Sequence, residues 1–253
     1  MNRKTLITIG VGAMAVICSC SDMASLGSVA GITKSSSSAL TSTEITAGLK
    51  EALNLGVKAG VKYLGTTGGY YNDLAYRIGL PDEAVVITKN IAKLPGGQTL
   101  VNKVVRNINE AASDAAAQAT PIFTSAITSM TIDDARSILM GNKMAATTYF
   151  KTKTKPGLKT LFGGYINNSI NKKIVGDVSA QSSWNTLTSN WNEVATTTVG
   201  KVAGLTTVNT NLKDYLTDKA VDGLYKKVGE KEMAIRSDAS QRTSALLKKV
   251  FGH

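Results

Sequence analysis

The chain has 253 residues, 29 basic and 18 acidic side chains, a formal charge of +11, 43% apolar residues and only 6% aromatics. Its one histidine is His253, and its two cysteines, Cys18 and Cys20, fall within the first 20 positions. A Ser-His or Cys-His hydrolase, a His/Cys zinc enzyme and a disulfide-stapled scaffold are therefore disfavoured, while the cationic surplus predicts contact with anionic surfaces.

Met1-Asn2-Arg3-Lys4 is positive, and Leu6 to Ile17 is almost wholly apolar. Roughly 12 such residues are too few to cross a bilayer, which takes about 20, so residues 1–19 read as a secretory signal. Ile17-Cys18-Ser19-Cys20 resembles a bacterial lipobox, with Cys20 as the residue that carries the acyl chains (palmitate or a similar fatty acid). Such chains anchor at about 0.8 kcal/mol per buried methylene. The bland alternative is a plain cleaved signal with incidental cysteines. Ser21 after the cysteine resembles the outer-membrane sorting pattern of Gram-negative lipoproteins. The expected location is extracytoplasmic, on the periplasmic or surface face of that membrane. Removing residues 1–19 leaves 27 basic against 18 acidic residues, so the surplus charge belongs to the mature domain. Residues 20–40, rich in Ser and Gly, read as a flexible tether.

The domain, 41–253, reads as all-α, a single multi-helix unit of roughly eight to ten helices. Thr41-Ser42-Thr43-Glu44 is a capping-box pattern that opens a helix carrying Ile45, Leu49, Leu53, Val57, Val61 and Leu64. Gly65-Thr66-Thr67-Gly68-Gly69 lacks phosphate-loop spacing and reads as a helix-ending turn. Pro81-Asp82-Glu83 predicts a second helix that stops at Leu94-Pro95-Gly96-Gly97. Leu100, Val104, Ile108, Ala112 and Ala115 mark a third, and Thr120-Pro121 opens a fourth. Thr131 to Asp134 caps a fifth, which Gly141 ends. Ala145, Ala146, Tyr149 and Phe150 continue the pattern, and Leu158, Phe162 and Ile166 follow beyond Pro156. Trp184, Leu187, Trp191 and Val194 are placed on one face of the next helix, with core packing as the expected use of both tryptophans. Leu212, Leu216, Ala220 and Leu224 form another stripe, and Leu247, Val250 and Phe251 close the pattern.

Few residues carry chemistry. Asp133 and Asp134 are a carboxylate pair, more simply read as first-turn acids favoured by the helix dipole. Asp214, Asp218 and Asp222 share a helix face; a cation site is conceivable, but a salt-bridged face, with Asp222 pairing to Lys226, is the simpler reading. These five acids and Tyr149 are the candidate polar site, with Asp133 and Asp214 the first to test for an acid/base pair. Lys151, Lys153, Lys155 and Lys159 cluster around Pro156 and are candidates for contact with an anionic surface; ordinary solubilising charge is the alternative. No catalytic residue, cofactor or metal ligand is assigned. A nucleic-acid partner is disfavoured by the export signal and by the lack of a basic-aromatic reader motif.

A long string of residues carries a resemblance: Thr120-Pro121-Ile122-Phe123, Met130-Thr131-Ile132-Asp133-Asp134-Ala135, Ala145-Ala146-Thr147-Thr148-Tyr149-Phe150, Asp222-Gly223-Leu224, and Leu246-Leu247-Lys248-Lys249-Val250-Phe251-Gly252. Over residues 43 to 252 these resemble the bacterial domain of unknown function 4197; Gly79 departs from the proline common there. The resemblance implies a helical extracytoplasmic domain, often behind a signal or lipoprotein leader, and supplies no catalytic residue. The expected role is a lipid-anchored binding or envelope-associated module, its partners the membrane and either anionic lipid or an envelope protein. The alternative is a carboxylate-dependent envelope enzyme such as a glycan hydrolase.

Overall fold

The computed structural model describes residues 40–85, 95–175 and 177–252. The signal segment, Cys20, nearly all of the tether, most of the expected second helix and His253 lie outside the described residues. Within them the regular structure is helical apart from a two-stranded antiparallel hairpin, β1 (Lys173–Val175) with β2 (Val178–Ser179).

Helix α1 (Ser42–Leu64) starts where its capping box dictates: the Glu44 amide donates to Thr41 Oγ1 at 3.1 Å, and the Thr41 amide donates to the Glu44 carboxylate at 2.9 Å. After the turn at Gly65 and a short 3-10 helix at Asp82–Ala84 come α2 (Gly97–Ala117), α3 (Thr120–Thr128) and α4 (Ile132–Met140). Thr131 and Asp134 form the second capping box, and Gly141 ends α4. Helices α5 (Ala145–Ile170) and α8 (Leu212–Ser237) run along each other as the central pair, with α1 against α8 and α2 against α5. Helices α6 (Ala180–Thr196) and α7 (Thr198–Val202) lie between them in sequence, and α9 (Ala245–Phe251) returns to α1.

The core follows the helical stripes: Leu49, Leu53 and Val57 from α1, Ile108 and Ala112 from α2, Phe123 from α3, Phe150, Leu158 and Phe162 from α5, and Leu216 and Leu224 from α8 are all buried. Small residues set the closest approaches. A Cβ on Gly60 would meet Val228 of α8 at 2.9 Å, and one on Gly48 would meet Val250 of α9 at 2.6 Å.

Helix α5 runs unbroken through Pro156, although proline disfavours a helix interior. The proline forfeits one backbone bond, normally worth about 3 kcal/mol of helix preference. Phe150, Thr154, Leu158 and Phe162 on either side are buried, so core packing on both halves holds the helix together. The tryptophan face differs from the expected one. Trp184 is buried, but Trp191 is 42% and Val194 54% exposed, and the buried line continues through Thr188 and Ala195. The Trp191 indole turns instead toward the following loop and donates to the Thr206 carbonyl at 2.9 Å. The Leu187 side chain lies outside the described set.

The α1–α9 junction carries an ion pair between Glu44 and Lys249 at 2.6 Å. The Lys249 ammonium, then the Thr41 amide and hydroxyl, hold the Glu44 carboxyl down from 4.5 to about 2. A folded value below the unfolded one adds stability above the unfolded pKa and loses it as pH falls toward the folded pKa. Melting temperature is therefore expected to fall as pH drops from about 4.5 to about 2, and to fall less in Glu44→Gln. Parallel melts of the two proteins across that range check this; identical slopes would remove the assignment.

Candidate functional site

The acids flagged by the sequence divide into two neighbourhoods near opposite ends of α5. Asp134 serves its own helix: its carboxylate accepts from the Thr131 amide at 3.0 Å and hydroxyl at 2.9 Å, and these bonds lower its pKa. Tyr149 lies close by, donating its hydroxyl to the Ala126 carbonyl at 3.1 Å; burial first, then Asp134, raises its pKa. Asp133 is exposed in the same first turn.

Asp214 belongs to the other end, in the first turn of α8. It accepts from the Asn211 side chain at 2.7 Å in the cap of α8. Asp218, one turn on, pairs with Lys159 at 2.9 Å, and that contact raises the lysine's pKa. Asp222 forms no ion pair with Lys226 among the described residues. The Lys226 ammonium instead donates to the Ala75 carbonyl at 3.1 Å, because the 70–80 segment lies across that turn of α8. Lys151 and Lys155 share one exposed face of α5, while Lys153 lies on another, 5.8 Å from the Tyr149 ring.

The feature that sequence reasoning missed is the segment that follows α1. It is pinned by polar groups of α2: the buried Asn109 side chain accepts from the Ile78 amide at 2.8 Å and donates to the Ile78 carbonyl at 2.9 Å, much as a neighbouring strand would. The Gly68 amide donates to Glu110 at 3.3 Å, and Gly68 itself takes φ +75°, a conformation that suits glycine. Tyr70 is buried and donates to the Ala220 carbonyl of α8 at 2.7 Å. The segment is thus fastened to both helices.

Between this segment and α8 lies a groove of about 320 Å³, lined by Tyr76, Arg77, Tyr215, Lys219, Asp222 and Lys226 among others. One wall is rigid. The Tyr76 hydroxyl donates to Glu230, which also pairs with Lys227 at 3.1 Å. The Lys227 ammonium sits 3.7 Å from the Tyr63 ring centre, and the Tyr63 hydroxyl donates to Asp73 at 2.7 Å. That hydroxyl, then the Ala75 amide, lowers the Asp73 pKa, whereas burial first and Glu230 second raise that of Tyr76.

The cations facing the groove are differently placed. Arg77 stacks 4.5 Å from the Tyr71 ring centre, Lys219 lies 5.4 Å from Tyr215 and Lys226 lies 5.0 Å from Tyr76. Among the described residues none of the three has a carboxylate within ion-pair distance. Three positive charges beside one acid, framed by aromatic rings, can attract and orient an anion. Among the described lining residues Asp222 is the one carboxylate, so no carboxylate pair is placed there. Arg77 stands far in sequence from Lys219 and Asp222, but one signal was available: three of the chain's eight tyrosines fall between positions 70 and 76.

A family model described as "Protein of unknown function (DUF4197)" matches residues 39–252. No curated protein and no solved structure matches the chain.

Proposed function

The chain belongs to the DUF4197 family, which carries no assigned activity, and from that premise we propose that it is a lipid-anchored binding protein of the bacterial envelope, taking an anionic ligand in the groove beside α8. The observation that carries the binding reading is the contrast in how its charges are used. Asp134 and Asp214 serve helix caps and Asp218 an ion pair, whereas Arg77, Lys219 and Lys226 line a concavity with no ion-paired carboxylate among the described residues. A groove of this volume sits at the lower end of small-ligand pockets.

Support for the anchor comes from the sequence pattern ending at Cys20, and for the envelope from the signal before it. The cationic domain suits a location beside anionic headgroups, with Lys151 and Lys155 as additional contacts. Calorimetric titration of the full chain with glycerol phosphate should show binding that weakens as salt rises. Lys219→Glu, an exposed change, should weaken it by about tenfold or more, or ~1.4 kcal/mol, without shifting the melting temperature. No heat from the parent protein, or equal affinity in the variant, removes the groove reading. Palmitate labelling that persists in Cys20→Ser would remove the anchor.

A further inference from the structure

Two guanidinium groups share one ring at the edge of the groove. The central carbon of Arg77 lies 4.5 Å and that of Arg106 4.6 Å from the Tyr71 ring centre. Arg77 comes from the segment that follows α1 and Arg106 from α2, and both are exposed. Attraction to the ring orients each cation but does not consume the N–H groups at its edge.

The backbone beneath the pair is fixed. Asn109, three positions beyond Arg106 and so on the same face of α2, holds the amide and the carbonyl of Ile78, the residue after Arg77. Arg77 Nε donates to the Tyr71 carbonyl, which sets the guanidinium plane and leaves the two terminal nitrogens as a fork.

Like charges drawn to one ring repel each other, and a structural pair of this kind calls for an acid between them. Among the described residues neither arginine has a carboxylate within ion-pair distance. Glu110, one turn beyond Arg106 on α2, accepts from the Gly68 amide at 3.3 Å instead. Asp73 is engaged by the Tyr63 hydroxyl at 2.7 Å. A bound anion would replace the repulsion with attraction to both arginines.

The number of forks selects the anion. Arginine meets carboxylate or phosphate oxygens with two parallel N–H donors. A carboxylate has two oxygens and one charge, which a single fork satisfies. A phosphate monoester has three terminal oxygens and a charge of about −1.5 to −2 at neutral pH, which suits two forks. Arg77 also lines the groove beside Lys219 and Lys226, so the remainder of such an ester has a place to lie.

We propose that Arg77 and Arg106, sharing the Tyr71 ring, grip the phosphoryl end of a phosphate monoester whose organic part lies in the groove. This rests on the anionic-ligand reading, to which it adds Arg106 and the class of anion.

Calorimetric titration of the full chain with glycerol phosphate and with glycerate, a carboxylate of similar size, tests it. Glycerol phosphate should bind about tenfold tighter or more. Arg106→Gln, an exposed change to another good helix former, should weaken glycerol phosphate about tenfold and glycerate by no more than about twofold, at an unchanged melting temperature. Arg106→Lys keeps the charge without the fork and should restore only part of the loss. No heat from the parent with either compound removes the groove reading and this inference with it. Heat from the parent, but equal affinity for the two compounds, or a glycerol phosphate affinity unchanged in Arg106→Gln or fully restored in Arg106→Lys, overturns this inference alone. A second arm separates a lipid headgroup from a free ester, using phosphatidylcholine vesicles that carry phosphatidic acid, a monoester, or phosphatidylglycerol, a diester, at equal lipid charge. Stronger retention on phosphatidic acid that is lost in Arg106→Gln identifies the headgroup; equal retention on the two, with glycerol phosphate bound in solution, identifies the free ester.

Discussion

Glu232→Ala is expected to cost about 3–5 kcal/mol, the range for removing one partner of a buried ion pair. In a domain of this size that is a fall of roughly 6–20 °C in melting temperature. The Glu232 side chain is 7% exposed and sits on α8, facing the start of α5. Its carboxylate accepts from the Ala146 amide at 3.0 Å, the Thr147 amide at 2.9 Å and the Thr147 hydroxyl at 2.8 Å. Met144 occupies the cap position and provides no capping oxygen, so α8 supplies the cap that α5 lacks. The same carboxylate pairs with Arg236 at 3.1 Å, and Arg236 donates onward to the Ile138 carbonyl at 2.7 Å and the Leu139 carbonyl at 3.3 Å. One turn of α8 therefore holds the end of α4 and the beginning of α5 with opposite charges, each matched to the helix terminus it meets. Alanine leaves a guanidinium without its carboxylate and two amides without acceptors. Glu232→Gln should lose less, since the amide oxygen still accepts. Thermal melts of the two variants check the order; equal losses would mean that packing, not charge, governs the site.

Phe150→Ala should cost about 3–5 kcal/mol, at the upper end of that range. The ring is fully buried and meets Phe123 edge-on at 5.1 Å, and Phe123 in turn meets Tyr225 edge-on at 6.1 Å. A cavity of about 20 Å³ already borders Phe150, between Leu53, Val228, Ile235 and Phe251. Removing the ring enlarges an existing void instead of opening one the helices can close, which is why the loss should sit high in the range. Denaturant unfolding measures it; a loss near 1 kcal/mol would show that the neighbouring side chains refill the space.

The helix boundaries that could be read from sequence were those fixed by adjacent residues. Thr41 with Glu44, Thr131 with Asp134, and Thr120-Pro121 each carry their signal within four positions, and each starts a helix in the structure. The unbroken course of α5 through Pro156 carries no such local signal, because the proline's penalty is local while the packing that outweighs it comes from other helices. Trp191 misled for a related reason: helical spacing from Trp184 gives a face, but the neighbour that decides whether the face is covered is the 206–208 segment.

The groove and the clamp were hidden by distance along the chain. Lys226 reaches a carbonyl 151 positions away, and Glu232 bonds amides 85 and 86 positions away. Asp222 was visible as one of three acids on a helix, but its setting among Arg77, Lys219 and two tyrosines depends on Asn109 holding Ile78 in place.

The contact between Glu44 and Lys249 joins residues 205 positions apart. A helical domain dominated by neighbouring contacts forms quickly, but closing a loop of that size delays the last step. This molecule should accordingly fold slowly for an all-helical one, with Glu44 lacking its partner until the last helix has docked. Slow closure keeps the chain unfolded for longer after synthesis.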